Sequence, residues 1–293
     1  MICVIFLIFK GLINYFMKKQ IILFLVLIGI LMSAQTHRFI YELQYRPNAN
    51  DTSYDKEEMV LDINPEEVKF FELEFLVNDS LNILHGGISS QHTSHSEQTL
   101  IRKRNSNKNK NYFQIRMMPY YYVFETEDNI QWKIEAETKK VNNYNLQKAT
   151  ARFGGRNWTA WFTPDINIPE GPYKFRGLPG LVLYVEDDKK DFIYSLSRNI
   201  NLPKTYDTKS FLERHYSLDP ITIDFRKWIK LNLEFYSDPY ARMRTEFQPD
   251  WNVKIEGQQI KSKEEFAGLT KQTQANIKKY YNPIELDKAI PYP

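Results

Sequence analysis

The sequence predicts a mainly β or α+β protein, in which a large, curved antiparallel sheet carries helices from the C-terminal third of the chain. Aromatic residues are abundant, with 19 Tyr and 19 Phe among 293 residues, and such side chains favour strands. Segments before about residue 200 alternate apolar and polar residues at the period of a strand. Segments after residue 201 have helical spacing, and strands followed by helices are typical of an α+β fold.

The β-rich region begins with two alternating segments, 41–45 and 59–63, which predict the first two strands. The apolar segment 69–77 is predicted as a third strand because of its aromatic content. Residues 86–111 are polar and almost free of apolar side chains, which predicts a long mobile loop or an exposed hairpin. Strand composition returns at 112–125. Further strands are expected at 130–135, 149–153, 158–163, 181–185 and 191–196.

Helices are predicted in the last third. Thr208 can cap a helix from Lys209 to about Tyr216. Apolar residues recur at helical spacing over 224–235. Two further helices are predicted at 237–247 and 262–281. We therefore divide the chain into a leader (1–34), a β-rich region (35–200) and a helical extension (201–293) that belongs to the same domain.

The N-terminus has the pattern of a Sec signal peptide. Met17 and two lysines precede the apolar run 21–32, and Ser33-Ala34-Gln35 offers small residues for cleavage after Ala34. The apolar run is short for a membrane span. The expected location is the periplasm or the exterior, with no stable membrane embedding after cleavage.

Cleavage at that point changes the charge and cysteine content. The remaining chain has 36 basic and 36 acidic side chains, and this balance argues against nucleic acid as a partner. The single cysteine, Cys3, lies in the leader. No disulfide is therefore expected, and the cleavage site lacks the cysteine that a lipoprotein needs.

The most informative segment is 158–184, which we call the proline–glycine stretch. It contains four prolines, three glycines and six aromatic rings. Its alternating start predicts a strand, and Gly177-Leu178-Pro179-Gly180 predicts a tight bend before the buried strand at 181–185.

The sequence GPYKFRGLPGLVLYVED within this stretch resembles the signature of the GLPGLI family, which are secreted proteins of Bacteroidetes. Segments 130–134 and 147–150 also resemble the family pattern. Val182 replaces the final isoleucine, and Leu146 stands where many members carry a cysteine. The family has no established activity. The resemblance implies a secreted β-rich protein, possible proximity to outer-membrane transport, and an outer-membrane or envelope protein as partner.

The proline–glycine stretch has two interpretations. Its aromatic rings can be the core of a hairpin, or the bend can present side chains to an apolar, peptide or envelope-polymer ligand. The second interpretation predicts a non-catalytic binding or accessory protein. Its candidate binding residues are Trp161, Tyr173, Lys174, Gly177, Leu178, Pro179 and Gly180.

Motifs of common enzymes are absent. The sequence has no phosphate-binding GxxxxGK[ST] or GxGxxG, no GxSxG and no HExxH. We therefore predict no catalytic residue and no cofactor. The alternative is a metal-binding protein or metallohydrolase, because the imidazoles of His85, His92 and His95 lie close in sequence. An exposed polar loop explains the same histidines without a metal.

Overall fold

The structure is a computed structural model, and it describes residues 18–20, 36–116, 118–248, 250–255 and 257–293. The predicted cleavage site at Ala34 and nearly all of the predicted signal peptide lie outside these residues. Within the described part of the chain, no helix has both the length and the apolar character needed to cross a membrane.

One sheet of twelve strands dominates the fold, in the order β12-β6-β5-β4-β3-β2-β1-β11-β10-β9-β8-β7. All neighbours are antiparallel except β12 and β6, which are parallel. The strands are β1 Thr36–Tyr45, β2 Asp55–Ile63, β3 Glu67–Glu72, β4 Leu100–Lys103, β5 Lys108–Gln114, β6 Tyr121–Glu127, β7 Lys133–Val141, β8 Tyr144–Phe153, β9 Arg156–Thr163, β10 Leu181–Asp187, β11 Phe192–Leu202 and β12 Ile221–Thr222.

Helices cover 22% of the residues and strands 38%, which confirms the predicted mainly β or α+β class. A two-stranded hairpin is formed by β13 (Val253–Ile255) and β14 (Gln258–Ile260). The α-helices are α1 Glu74–Leu84, α2 Phe225–Ser237, α3 Ala241–Glu246 and α4 Glu265–Lys279. A π-helical turn covers Lys209–Glu213, and a 3₁₀ turn covers Leu286–Lys288.

The third predicted strand, 69–77, is only partly correct. Strand β3 ends at Glu72, and the apolar run continues as helix α1. The chain turns because Phe75 and Leu76 pack back against the sheet beside Phe71 and Phe211. An apolar run of this length fits a strand and a buried helix equally well, and tertiary packing decides between them.

The sheet has an apolar core on each face. On one face, strand residues such as Tyr41 and Phe70 pack with Trp158, Phe162 and Phe175 of the proline–glycine stretch. On the other face, α1 and the π-helical turn cover Val60, Phe71 and their neighbours. The helix predicted at 209–216 is therefore the shorter π-helical turn, in which Phe211 and Leu212 are fully buried.

Helix α2 and the C-terminal residues pack on the sheet, as predicted, whereas α3, the β13–β14 hairpin and the start of α4 share a separate apolar cluster. Helix α2 begins after Asp224, whose carboxylate accepts a hydrogen bond from the backbone N–H of Lys227 and caps the helix. Its Trp228 contacts Phe113 of β5, with ring centroids 3.9 Å apart. Phe113 lies on the same face of the sheet as the proline–glycine stretch. Leu100 belongs to the core on that face and pairs with Asn111 of β5. Because residues two apart on a strand point to the same side, Phe113 faces the same way as Asn111. This arrangement places a cavity between the helices and the sheet.

Candidate functional site

A cavity of about 470 Å³ lies between the sheet, helix α2 and the C-terminal segment that follows α4. Aromatic rings form a large part of its wall, among them Phe113 and Phe124 of the sheet, Trp228 of α2, and Tyr281 and Tyr292 of the C-terminal segment. Its volume is within the range of small-molecule sites, which are predominantly apolar with a few polar groups.

The wall also contains a carboxylate, Glu97. Its side chain is exposed and lines the cavity. Glu97 has a φ of 54°, a conformation that few residues other than glycine adopt, and its N–H donates to the Oγ of Ser94 at 3.1 Å.

A buried ion network connects the C-terminal segment to the proline–glycine stretch. The Lys174 ammonium lies 3.0 Å from Asp128 and 2.7 Å from Glu285, and the Lys288 ammonium lies 3.0 Å and 2.5 Å from the same two carboxylates. The Tyr173 hydroxyl also donates to Glu285, at 2.6 Å. Burial would raise the pKa of Asp128, but Lys174, Thr126 and Lys288 outweigh it and hold the pKa at about 2.

Arg156 fixes the same segment a few residues earlier. Its guanidinium donates to Asp187 and Asp191 at 2.9 and 2.8 Å. It also donates to the side chain of Asn282 at 2.6 Å and to the backbone carbonyls of residues 283 and 284. Because 282–288 forms part of the cavity wall, these bonds hold the wall closed on the sheet.

The bend of the proline–glycine stretch does not present Leu178, which is a correction to the expected binding loop. Leu178 is 1% exposed and packs in the core with Trp158 and Phe175. Gly177 and Pro179 are exposed, and Gly177 borders a second cavity of about 320 Å³ beside Trp132. The apolar side chain points inward because the bend closes over the core between β9 and β10.

The other predicted binding residues are also separated. Trp161 lies on the face of β9 opposite to Trp158, under the ammonium of Lys139 at 3.7 Å from its ring centroid. Tyr173 and Lys174 are buried in the ion network, and Tyr173 reaches the large cavity from there. Trp161 and Tyr173 therefore do not line one mouth.

Gly180 has a structural role in the same bend. It adopts a φ of 152°, and a Cβ at this position would lie 2.0 Å from the carbonyl oxygen of Thr163. The bend can approach β9 this closely only because residue 180 has no side chain.

Two of the three predicted histidines, His92 and His95, lie close to the carboxylate of Glu72. The ligand atoms of Glu72, His92 and His95 lie within 4.8 Å of one another. His92 Nε2 is 2.5 Å from Glu72, and His95 Nδ1 is 3.5 Å from Glu57. His85 is not part of this cluster, because it lies at the end of α1 and contacts Ser89.

Glu72 also organises the loop that carries these histidines. Its Oε1 accepts hydrogen bonds from Ser94, from both the N–H and hydroxyl of Ser96, and from the N–H of His95. Burial raises the pKa of Glu72, but the hydrogen bonds from His92, Ser96 and Ser94 lower it by more. Burial and the nearby Glu72 raise the pKa of Glu57. Residues 92–96 are thus held by hydrogen bonds, and the end of the predicted loop or hairpin at 86–111 forms the antiparallel hairpin β4–β5.

Sequence reasoning did not find Glu97, Glu72 or Glu57. Glu72 is the last residue of β3, whereas Glu74 begins helix α1. Glu170 pairs with Arg102 at 2.6 Å, and both side chains are buried.

Comparisons with known proteins give a fold likeness and one short family match. Two crystal structures of PNGF-II, in the C2 and P21 space groups, are each 14% identical, with a TM-score of 0.48 over 68% of this chain. This chain spans about a third of their length, 32% and 33%. None of the curated proteins matches. Residues 155–184 match a family described as "Protein of unknown function (Porph_ging)", and these residues include Arg156, Tyr173 and Lys174.

Proposed function

We propose that this protein is an exported, non-catalytic binding or accessory protein of the cell envelope, of the GLPGLI type, and that it binds its ligand in the aromatic cavity. The cavity carries this proposal. Its wall brings rings from the sheet, α2 and the C-terminal segment around one space of about 470 Å³. Its lining combines these rings with charged and amide side chains, which fits a small ligand with an apolar part or an apolar side chain of a partner.

The ligand site thus differs from the bend at Gly177-Leu178-Pro179-Gly180. Leu178 is buried, and Lys174 is fully engaged by Asp128 and Glu285. These residues support the proposal indirectly, because they hold the C-terminal segment that closes the cavity.

Binding of a neutral, environment-sensitive dye such as phenylnaphthylamine tests the site. The dye should become fluorescent on binding to the wild-type protein. Ile277→Trp should reduce binding about tenfold or more, because Ile277 lines the cavity and a larger ring fills it. Ile200→Trp is the matched control, since Ile200 is exposed and does not line the cavity. Equal binding by both variants would contradict the proposed site.

Export needs a separate test. The full-length chain should be recovered from the periplasm or medium of a producing bacterium, with a mature N-terminus at Gln35. Crosslinking in intact cells, followed by mass spectrometry, should then identify an outer-membrane or envelope partner. Recovery of an uncleaved cytoplasmic protein would contradict the envelope location.

A second candidate function is metal binding by Glu72, His92 and His95, favoured by the closeness of their ligand atoms. One carboxylate and two imidazoles form a donor set that suits Zn²⁺.

Zinc titration by calorimetry tests this candidate. The wild-type protein should bind one Zn²⁺, and His92→Ala should abolish that binding. His85→Ala is the matched control, because His85 lies outside the cluster. An equal loss in both variants, or no stoichiometric binding by the wild type, would contradict a metal centre at Glu72.

A further inference from the structure

The bend of the proline–glycine stretch carries an arginine, Arg176, which lines the cavity of about 320 Å³ beside Trp132. We call this space the Arg176 cavity. Nη1 of Arg176 donates to the backbone carbonyl of Ser106 at 2.9 Å and to the side chain of Asn107 at 3.0 Å. Its Nε is buried without a hydrogen bond, and the carboxylate of Glu170 is 3.7 Å away. Among the described residues no group accepts a hydrogen bond from Nη2, which is therefore left for a ligand.

Positive charges outnumber negative ones beside this cavity. Arg176 and Arg102 share one carboxylate, Glu170, which lies closer to Arg102, at 2.6 Å. Arg102 is buried, and its Nη1 has no hydrogen-bond partner in the described part of the chain. The adjoining ion network, which reaches the cavity through Asp128, contains two ammonium groups and two carboxylates and is balanced. Within the described residues, one positive charge thus lacks a counter-charge.

That unbalanced charge belongs to Arg176. Its side chain is 24% exposed, whereas that of Arg102 is 2% exposed. Burial and the positive charge of Arg102 lower the pKa of Arg176, and Glu170 raises it by less. A partly buried cation of this kind is stabilised when a ligand supplies the missing negative charge.

The rest of the wall is partly apolar and partly amide. The indole N–H of Trp132 donates to the backbone carbonyl of Arg176 at 2.8 Å, which fixes the ring beside the bend. Ile134 contributes an exposed apolar side chain to the same wall. Asn129 and Gln131 are exposed there as well. A cation next to apolar side chains suits a ligand that has one charged and one apolar part.

We infer that the Arg176 cavity binds an organic carboxylate, whose negative charge pairs with Arg176 and whose apolar part contacts Trp132 and Ile134. A carboxylate carries the single negative charge that balances the arginine, and its oxygens are strong acceptors for guanidinium N–H groups. Ser106 and Asn107 hold the guanidinium in place before binding, so that little conformational entropy is lost when the ligand arrives.

This site is separate from the aromatic cavity, because none of the described residues lines both. The inference is therefore independent of the proposed function.

Benzoate, benzamide and acetate test the inference by isothermal titration calorimetry of the wild-type protein at pH 7. Benzoate and benzamide share a ring but differ in charge, whereas acetate has the charge without the ring. Benzoate should bind about tenfold or more tightly than benzamide, because hydrogen bonds to a charged acceptor are stronger than neutral ones. Benzoate should also bind more tightly than acetate, because its ring contacts Trp132 and Ile134.

Arg176→Gln assigns the preference to one residue. This variant should bind benzoate about tenfold more weakly than the wild type does, and its affinity for benzamide should stay within about twofold. Arg104→Gln is the matched control, because it removes the same charge from an exposed arginine that does not line the cavity.

Asn129→Asp provides a second variant should Arg176→Gln fail to fold. Asn129 is exposed in the cavity wall, and the replacement changes its charge but hardly its shape. The new carboxylate should repel benzoate and compete with it for Arg176, so that benzoate binds about tenfold more weakly while benzamide binding is unchanged.

Equal wild-type affinity for benzoate and benzamide would overturn the inference, and so would the absence of benzoate binding. A preference for benzoate that persists in Arg176→Gln or in Asn129→Asp would overturn it as well. An equal loss of benzoate binding in Arg104→Gln and Arg176→Gln would contradict a specific site. Acetate that binds as tightly as benzoate would refute the contact with Trp132 and Ile134.

Discussion

Lys174→Met is expected to destabilise the protein strongly, because it removes a buried ammonium from between two buried carboxylates. The Lys174 side chain is 1% exposed, and those of Asp128 and Glu285 are 4% and 9% exposed. Methionine preserves the volume, so packing changes little. Removal of one partner from a buried ion network typically costs about 3–5 kcal/mol. That loss is a large part of the 5–15 kcal/mol by which folded domains are stable.

The pH dependence provides a second measure of the same network. The pKa of Asp128 is about 2 in the folded protein, against 3.8 in the unfolded chain. The difference contributes about 2 kcal/mol of stability above pH ~4, and this contribution is lost as the pH falls toward 2. In Lys174→Met the folded pKa of Asp128 should rise, so that less of this contribution remains to be lost. The difference in unfolding free energy between the two proteins should therefore narrow below pH ~4.

Urea unfolding, followed by tryptophan fluorescence from pH 7 downward, measures both effects. Lys108→Met is the control, because Lys108 forms an exposed ion pair with Glu125 and its loss should change the unfolding free energy little. A loss below about 1 kcal/mol for Lys174→Met at pH 7 would refute the reasoning. A free-energy difference that stays constant down to the lowest pH at which both proteins fold would also refute it.

Three further predictions concern the proline–glycine stretch and Arg156, which lies two residues before it. Gly180→Ala should destabilise the protein far more than Gly177→Ala in thermal unfolding, because a Cβ at 180 meets the Thr163 carbonyl oxygen at 2.0 Å whereas one at 177 meets no atom within 4 Å. Leu178→Asp should unfold the protein in circular dichroism, since Leu178 is buried in the core; a folded variant would restore the binding-loop interpretation. Arg156→Lys should increase amide hydrogen exchange at 282–288, because lysine cannot replace the fork of hydrogen bonds that arginine makes there; unchanged exchange would contradict this role.

Much of the fold can be predicted from the sequence because its strands alternate regularly. The strands around 41–45, 59–63 and 158–163 occur where the two-residue period places them, and helix α2 (Phe225–Ser237) covers the segment 224–235 in which apolar residues recur at helical spacing. Helix α1 was missed because its first turn continues the apolar run of β3 without a break. Periodicity alone cannot divide such a run.

The candidate site was much less predictable, because its parts lie far apart in the chain. Strands β4 to β12 lie between Glu97 and Tyr281 in sequence, and only the packing of the C-terminal segment brings these two residues into one cavity. The position of Glu97 depends on a positive φ that no sequence pattern signalled. The histidines were noticed because they cluster in sequence, but their partner Glu72 lies twenty residues earlier on β3.

The stretch that matches the family and most of the cavity wall come from different parts of the chain. Arg156, Tyr173 and Lys174 lie within 155–184, and each of them bonds to the C-terminal segment 282–288. Trp228, Tyr281 and Tyr292 line the cavity from outside the match, whereas Tyr173 lines it from within. The matching stretch therefore holds the C-terminal segment against the sheet. We expect a protein that shares this stretch to keep, in its C-terminal segment, an acceptor for the arginine and a carboxylate for the lysine.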